Sequence, residues 1–109
     1  MPQRLARALF RSYIKVVRIT FDPAKRAATL ADRGLDFADA ALVFAGPHAT
    51  GPDERRDYGE RRYITGGYLL DRFVVIVWTP RGGARRVISM RYGHAEEARR
   101  WAEALDRSR

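Results

Sequence analysis

The sequence predicts a single α+β domain: a small, twisted, mainly antiparallel sheet with helices packed against it. The length of 109 residues accommodates one domain with one hydrophobic core. Six consecutive apolar residues at positions 73–78, a glycine pair and a second strand-like run indicate a β-hairpin. Segments with helix-capping residues lie before and after this hairpin. The predicted order is β-α-α-β-β-β-α, with two N-terminal helices and one C-terminal helix, and a further short edge strand at residues 48–50 stays open.

The hairpin is predicted to be the centre of the sheet. Four of the six residues at 73–78 are β-branched, which suits a strand buried on both faces. Residues 79–83, with a proline and a Gly-Gly pair, provide the reversal. Strict alternation in residues 84–91 then separates two sets of side chains. One set is Arg86, Ile88 and Met90, and the other is Arg85, Val87, Ser89 and Arg91.

The first strand and first helix are predicted from residues 15–33. Residues 15–21 are rich in β-branched and aromatic side chains, which is typical of a strand. Asp22 suits the N-cap and Pro23 the first helical position, where its missing N–H costs nothing. Gly34 suits the position just beyond the helix end. The narrow alanine face, at positions 24, 27, 28 and 31, predicts close packing against the sheet or a neighbouring helix.

The other elements follow from caps and alternation. Asp36 caps a second helix over residues 37–44, a loop follows at residues 48–59, and a strand begins at residues 60–67. A last helix opens near residue 94. The three large aromatic residues assigned to the core are Phe73, Trp78 and Trp101.

The strongest compositional signal is the net charge of +8, from 21 basic and 13 acidic residues. Only Lys15 and Lys25 are lysine, so arginine dominates. This balance favours a polyanionic partner, and the planar guanidinium suits phosphate oxygens and stacking on bases. The codon usage of a GC-rich genome equally explains arginine over lysine, but it does not remove the excess of positive charge.

Cysteine is absent, which excludes a disulfide framework and thiolate zinc sites and suits the cytoplasm. No apolar run approaches the roughly 18 residues of a membrane span. Residues 1–14 are interrupted by arginines and have no signal-peptide core, so they are predicted to be an N-terminal extension or short basic helix. The domain proper is predicted over residues 15–109.

Three blocks of the sequence together resemble one known family. They are residues 19–25 (ITFDPAK) with 33–44 (RGLDFADAALVF), residues 58–64 (YGERRYI), and residues 74–82 (VVIVWTPRG) running into 86–91 (RVISMR). In order and spacing they resemble the BrnT toxins of bacterial and archaeal type II toxin–antitoxin systems. The resemblance extends from about residue 19 to the final helix.

The resemblance implies a fold similar to RelE-type ribonucleases and a toxin that cuts RNA and halts translation. It also implies a neighbouring ribbon-helix-helix antitoxin, BrnA, which neutralises the toxin. The toxin–antitoxin complex would bind operator DNA through the antitoxin and repress its own operon. No cofactor, metal site or membrane partner is predicted.

RNA cleavage without a metal requires attack of a 2′-OH on the adjacent phosphorus, removal of its proton, stabilisation of the phosphoryl charge and protonation of the leaving oxygen. With the resemblance, we predict two sets of site residues. The predicted catalytic residues are Glu60, Arg62, Arg86, Arg91 and His94. The predicted RNA-binding residues are Lys25, Arg61, Tyr63, Arg85 and Tyr92.

Each of these residues also has a structural interpretation. The arginines form a phosphate clamp or a solvated strand face; Glu60 is a general base, which needs a raised pKa, or one half of an ion pair. His94 is the acid or a neighbour of the helix cap, and the tyrosines stack bases or join the core.

Strand parity limits which arginines can act together. Arg61 and Arg62 point to opposite faces, and Arg62 is preferred. Arg86 and Arg91 also differ in parity, unless a β-bulge or the strand end re-aims Arg91.

Two functions of other classes stay open. A non-catalytic nucleic-acid or antitoxin-binding module would bind through the same basic face without cleaving RNA. A membrane-surface binder acting through residues 1–14 is the weaker alternative.

Overall fold

The computed structural model describes residues 17–107 and shows an α+β fold with a five-stranded mixed sheet. Its strands are β1 (Ile19–Thr20), β2 (His48–Pro52), β3 (Tyr63–Leu69), β4 (Arg72–Arg81) and β5 (Ala84–Tyr92). Its helices are α1 (Pro23–Arg33), α2 (Ala40–Ala45) and α3 (Ala95–Arg107), with a 3₁₀ turn at Phe37–Asp39 before α2. The predicted α+β class is confirmed, and the edge strand left open in the sequence is β2.

The strand order is β1-β5-β4-β3-β2, so the apolar strand β4 lies at the centre as predicted. Every pairing is antiparallel except that of β1 with β5, which is parallel. Of the strand predicted at residues 15–21, only Ile19–Thr20 is a strand, while residues 15 and 16 lie outside the described part. The predicted N-terminal extension at residues 1–14 lies outside it as well.

One face of the sheet, the covered face, carries the 3₁₀ turn and α2. The packed cluster joins Phe37 and Val43 from these elements to Val74, Ile76 and Met90 from the central strands, and all five are fully buried. Burial of such aliphatic and aromatic side chains contributes about 1.5–3 kcal/mol each. This single-sided cluster is the main hydrophobic core of the described residues.

Helix α1 begins and ends as predicted, but it packs differently. Asp22 caps it, Pro23 is its first residue and Gly34 follows it with φ +71°. The prediction that its alanine face packs closely is wrong, because the alanines at positions 24, 27, 28 and 31 are exposed. Long polar side chains attach the helix instead. Nε and Nη2 of Arg26 donate to the Asp36 carboxylate at 2.7 and 2.8 Å, and the pKa of Asp36 falls to about 2 mainly because of this contact.

The β4–β5 turn is tighter than predicted. Strand β4 continues to Arg81, and only Gly82 and Gly83, with φ of +55° and +79°, reverse the chain. Two consecutive positive φ values match the twist of antiparallel strands, which is why glycine serves here.

A β-bulge in β5 overturns the predicted alternation of that strand. Val77 pairs with Ser89 and Trp78 pairs with Val87, so Ile88 is an extra residue. Val87 and Met90 therefore both point to the covered face, where they are buried. Strict alternation had placed them on opposite faces.

The opposite, open face of the sheet is only partly covered. Helix α3 packs over β2 and β3, where Trp101 lies so close to Gly66 that a Cβ on this residue would be 2.7 Å from the indole ring. Trp101 is partly exposed, so its assignment to the core is wrong, whereas Phe73 and Trp78 are buried as predicted. The β4 and β5 part of this face stays uncovered by helices. Within residues 17–107 no helix has the length and apolar character needed to cross a membrane.

Candidate active site

The uncovered part of the open face carries a cleft rich in arginine. Its inner cavity has a volume of about 270 Å³ and is lined by Arg55, Ile64, Val75, Val77, Ser89, Arg91, Glu97 and Trp101. An adjoining, more open cavity is lined by Arg55, Arg56, Tyr58, Arg62, Val77, Ile88 and Ser89. We call the two together the arginine cleft. Strands β3, β4 and β5 form its floor, and α3 and the loop at residues 53–62 form its walls.

Arg91 is fixed in the cleft by a carboxylate from α3. Its Nη1 and Nη2 donate to the two oxygens of Glu97 at 2.9 and 2.8 Å. This contact raises the pKa of Arg91 and lowers the pKa of Glu97. Glu97 lies in the first turn of α3, so the start of that helix determines the orientation of the guanidinium.

Arg55 is held in a similar way from the loop. Its Nε and Nη2 donate to the carboxylate of Asp53 at 2.7 and 2.8 Å, and the Asp53 side chain is 0% exposed. The Asp53 N–H also donates to the Arg62 carbonyl at 2.8 Å, which anchors the loop beside β3. The Arg55 guanidinium holds the pKa of Asp53 at about 2. Sequence reasoning missed both residues, although the acid-x-Arg spacing was a usable signal.

Both arginines keep hydrogen-bonding capacity for a substrate. A guanidinium has five N–H donors, and each of these ion pairs uses two of them. Tyr58 is a further hydrogen-bond partner of Arg55, and both arginines still keep additional N–H groups. One of those on Arg91 points towards the Tyr92 carbonyl at 3.4 Å. The positive charge of Arg55 also acts on Arg91 and opposes its raised pKa, as expected for two cations close together. The cleft thus presents two oriented guanidinium groups side by side.

Arg62 lies at the outer end of the cleft. Its guanidinium stacks 4.0 Å from the Tyr58 ring centroid, and its Nε donates to Glu60 at 3.1 Å. Glu60 also accepts from Nη2 of Arg81 at 3.1 Å. Both arginines lower the pKa of Glu60, and Arg62 has the larger effect. The raised pKa that a general base at Glu60 requires is therefore absent, and its contacts are those of an ion pair.

The bulge brings Arg86 and Arg91 to the same face. Arg91 pairs with Val75 and Arg86 pairs with Thr79, and these two β4 residues have the same parity. Within residues 17–107, neither Arg86 nor Arg56 has a carboxylate partner. The residues that line the two cavities include four arginines and one carboxylate, Glu97, so the lining is positive.

Comparison with known protein families identifies the family of the chain. The family model for the ribonuclease toxin BrnT of type II toxin–antitoxin systems matches residues 21–97. The chain belongs to the BrnT family. The match includes Asp53, Arg55, Arg62, Arg91 and Glu97. No curated protein matches the chain significantly.

Three predicted RNA-binding residues of this BrnT chain lie on the covered face, away from the cleft. Tyr63 stacks on Trp78 with ring centroids 4.9 Å apart, and Tyr92 lies 3.7 Å beneath the Arg72 guanidinium. Arg85 lies 4.4 Å from the Trp78 ring, where burial lowers its pKa. Tyr58, which was not predicted, is the tyrosine that lines the cleft.

The remaining predicted residues line neither cavity of the cleft. Lys25 is exposed on α1, and Arg61 is exposed beside β3, where its carbonyl accepts from the Thr79 hydroxyl at 2.6 Å. His94 is exposed at the start of α3, where its carbonyl accepts from the Ala98 N–H and its own N–H points to Glu97 at 3.4 Å. No group of three His, Cys, Asp or Glu side chains within residues 17–107 is arranged to hold a metal ion.

The Asp53–Arg55 pair predicts a pH dependence of stability. Because the folded pKa of Asp53 is lowered to about 2, its contribution is complete above the unfolded pKa of roughly 4 and is lost as pH falls to about 2. Asp53→Asn should lower the free energy of unfolding by about 1–2 kcal/mol at pH 6, a value reduced because Arg55 is largely solvent-exposed.

Urea unfolding at pH 6 and at pH 2.5 measures this contribution. The difference between parent and variant should shrink at the lower pH. Asp106→Asn, at an exposed carboxylate, is the control and should change stability little at either pH. If the difference in unfolding free energy between parent and variant is the same at both pH values, the Asp53 charge does not stabilise the fold.

Proposed function

We propose that the chain is a metal-independent endoribonuclease that cuts RNA in the arginine cleft. The 2′-OH of the substrate attacks the adjacent phosphorus and gives its proton to solvent, while the bond from phosphorus to the 5′ oxygen breaks and the leaving 5′ oxygen takes a proton from His94. The negative charge that develops on the phosphoryl oxygens is stabilised by Arg55 and Arg91. Arg62 and Arg86 contact the flanking phosphates. The BrnT family is one of ribonuclease toxins, and this proposal assigns the chemistry to residues of this chain.

The observation that carries the proposal is the pair of carboxylate-held arginines. Donors that are oriented before the substrate arrives stabilise a transition state without reorganising during the reaction. Asp53 and Glu97 provide that orientation from two separate elements, the loop and α3. A surface that only attracts a polyanion needs positive charge but no such fixed geometry.

Proton transfer is the smaller part of this proposal. Glu60 serves mainly to orient Arg62, because its lowered pKa makes it a weak base at neutral pH. His94, exposed at the start of α3 with its backbone N–H towards Glu97, is the proposed general acid that protonates the leaving 5′ oxygen.

We further propose that the protein inhibits translation in the cytoplasm and is neutralised by a BrnA-like ribbon-helix-helix antitoxin, which would carry operator binding. The toxin domain would span residues 15–109 with a RelE-like fold. The family's membership of type II systems and the exposed positive cleft support an antitoxin that covers this cleft. Co-expression with the neighbouring open reading frame, followed by co-purification, tests the partner.

Incubation of the purified protein with a long RNA in EDTA tests the enzymatic proposal. We expect cleavage without ribosomes and products that end in 2′,3′-cyclic phosphate or its hydrolysis product. Addition of ribosomes in a parallel reaction tests whether cleavage depends on translation. RNA binding without cleavage in either reaction would favour the non-catalytic binding module.

A further inference from the structure

The inner cavity of the arginine cleft has a feature that phosphate binding does not explain. Its floor and back wall are apolar, formed by Ile64, Val75, Val77 and the ring of Trp101. Phosphate oxygens need only the guanidinium groups at the rim. Val75 and Val77 are almost buried, and the apolar surface that remains open to the cavity belongs to Ile64 and Trp101. Because burial of apolar surface is favourable, this surface suits a ligand part that is itself flat and weakly hydrated.

We propose that this cavity binds one nucleobase of the RNA while the phosphate next to it lies on Arg55 and Arg91. The inference rests on the proposed function and adds to it a base-recognising subsite. The volume of about 270 Å³ is below the roughly 300–1,000 Å³ of sites that take drug-sized ligands. The cavity therefore holds one base rather than a dinucleotide.

Trp101 provides the surface for stacking. The indole packs over Gly66, where no Cβ intervenes, and stays partly exposed towards the cavity. Stacking of a base on an aromatic side chain contributes about 1–3 kcal/mol to binding in single-strand binding sites. Every base has a π-face and can form this contact. The position of α3 against β3 thus creates the base site.

Two polar groups at the cavity wall are suited to reading the edge of the base. The Ser89 hydroxyl has no hydrogen-bond partner within residues 17–107, so it is free to donate or accept. The Glu97 carboxylate is ionised and accepts hydrogen bonds, so it favours a base that presents an amino or imino N–H. Both side chains predict that the four bases bind unequally.

Titration calorimetry with the four nucleoside 3′-monophosphates, compared with ribose 5-phosphate, tests the subsite. Ribose 5-phosphate carries the same kind of phosphate without a base. We expect the best nucleotide to bind at least about tenfold more tightly than ribose 5-phosphate, as one stacked base contributes. Equal affinity for ribose 5-phosphate and all four nucleotides would overturn the proposal.

Two variants test whether the preference for a nucleotide over ribose 5-phosphate comes from the cavity. Ser89→Phe fills the cavity and leaves every arginine in place, and Trp101→Leu keeps apolar packing but removes the aromatic plane. Each is expected to bring the ratio of nucleotide to ribose phosphate affinity close to one, and thermal unfolding confirms that each variant is folded. If both variants are folded and each retains the tenfold ratio, the proposal is overturned.

The test separates failure of the subsite from failure of the proposed function. Calorimetry does not require cleavage, so a base preference in a protein that cuts no RNA would support the subsite and refute the ribonuclease proposal. Cleavage of RNA by a protein that shows no base preference would support the ribonuclease proposal and refute the subsite.

Discussion

Replacement of Arg91 by alanine is expected to slow RNA cleavage by about 100–1,000-fold, the effect of removing one oriented donor from a developing oxyanion. Arg91 is the arginine for which the structure gives the strongest reason to expect this. Its guanidinium is held by both oxygens of Glu97 and lies in the deeper of the two cavities. Single-turnover cleavage of a long RNA in EDTA measures the change.

Arg99→Ala is the matched control for this variant. Arg99 is exposed on α3 and pairs with Glu96 and Glu103 outside the cleft, so its removal subtracts the same charge from a different place. We expect a change of no more than about threefold, the weak effect of a screened surface charge. Equal losses in both variants would show that overall charge, not the position of Arg91, supports cleavage.

The salt dependence of RNA binding distinguishes a direct contact between Arg91 and a phosphate from general electrostatic attraction. If Arg91 binds one phosphate, its removal should reduce the slope of log K against log salt by about 0.7, the value for one neutralised phosphate of a single strand. Arg91→Lys keeps the charge but loses the planar fork. It should therefore restore the slope more fully than it restores the rate.

Local chemistry explains why much of the fold was predictable. The caps at Asp22, Gly34 and Asp36 act over one turn, and each is found where the sequence placed it. The central position of β4 follows from its composition, because six consecutive apolar residues need cover on both faces. Such features depend on neighbours in the sequence, which a single chain displays.

Tertiary packing decided the features that were not predicted. The bulge at Ile88 has no glycine to mark it, and it exists because Val87 and Met90 both enter the core on the covered face. Residues three apart can share a face of a strand only if an extra residue lies between them. The apolar spacing 87, 88 and 90 contains that signal, but only knowledge of the partner strand makes it decisive.

The cleft combines residues from a loop, a helix and three strands. Arg55 lies in a segment without periodicity, so no pattern connects it to Arg91, which is 36 positions later in the chain. Packing of α3 over β2 and β3, rather than across the whole sheet, leaves the cleft open. These relations are set by the assembled fold.

Phe37→Ala is expected to lower the free energy of unfolding by about 3–5 kcal/mol, the usual cost of truncating a buried phenylalanine. Phe37 is 0% exposed and packs edge-to-face on Phe21, with ring centroids 6.1 Å apart. Its position in a short 3₁₀ turn leaves little freedom for neighbours to fill the cavity. Urea unfolding of the parent and the variant measures the difference.

The same variant tests whether stability and catalysis occupy opposite faces of the sheet. Phe37 lies in the cluster on the covered face, whereas the cleft lies on the open face, so cleavage per folded molecule should change by less than about threefold under conditions where the variant stays folded. Leu42→Ala, at a leucine 59% exposed on α2, is the control and should cost no more than about 0.5 kcal/mol. Loss of cleavage in a folded Phe37→Ala protein would show that the core behind the sheet determines the geometry of Arg55 and Arg91, and that the two faces are not independent.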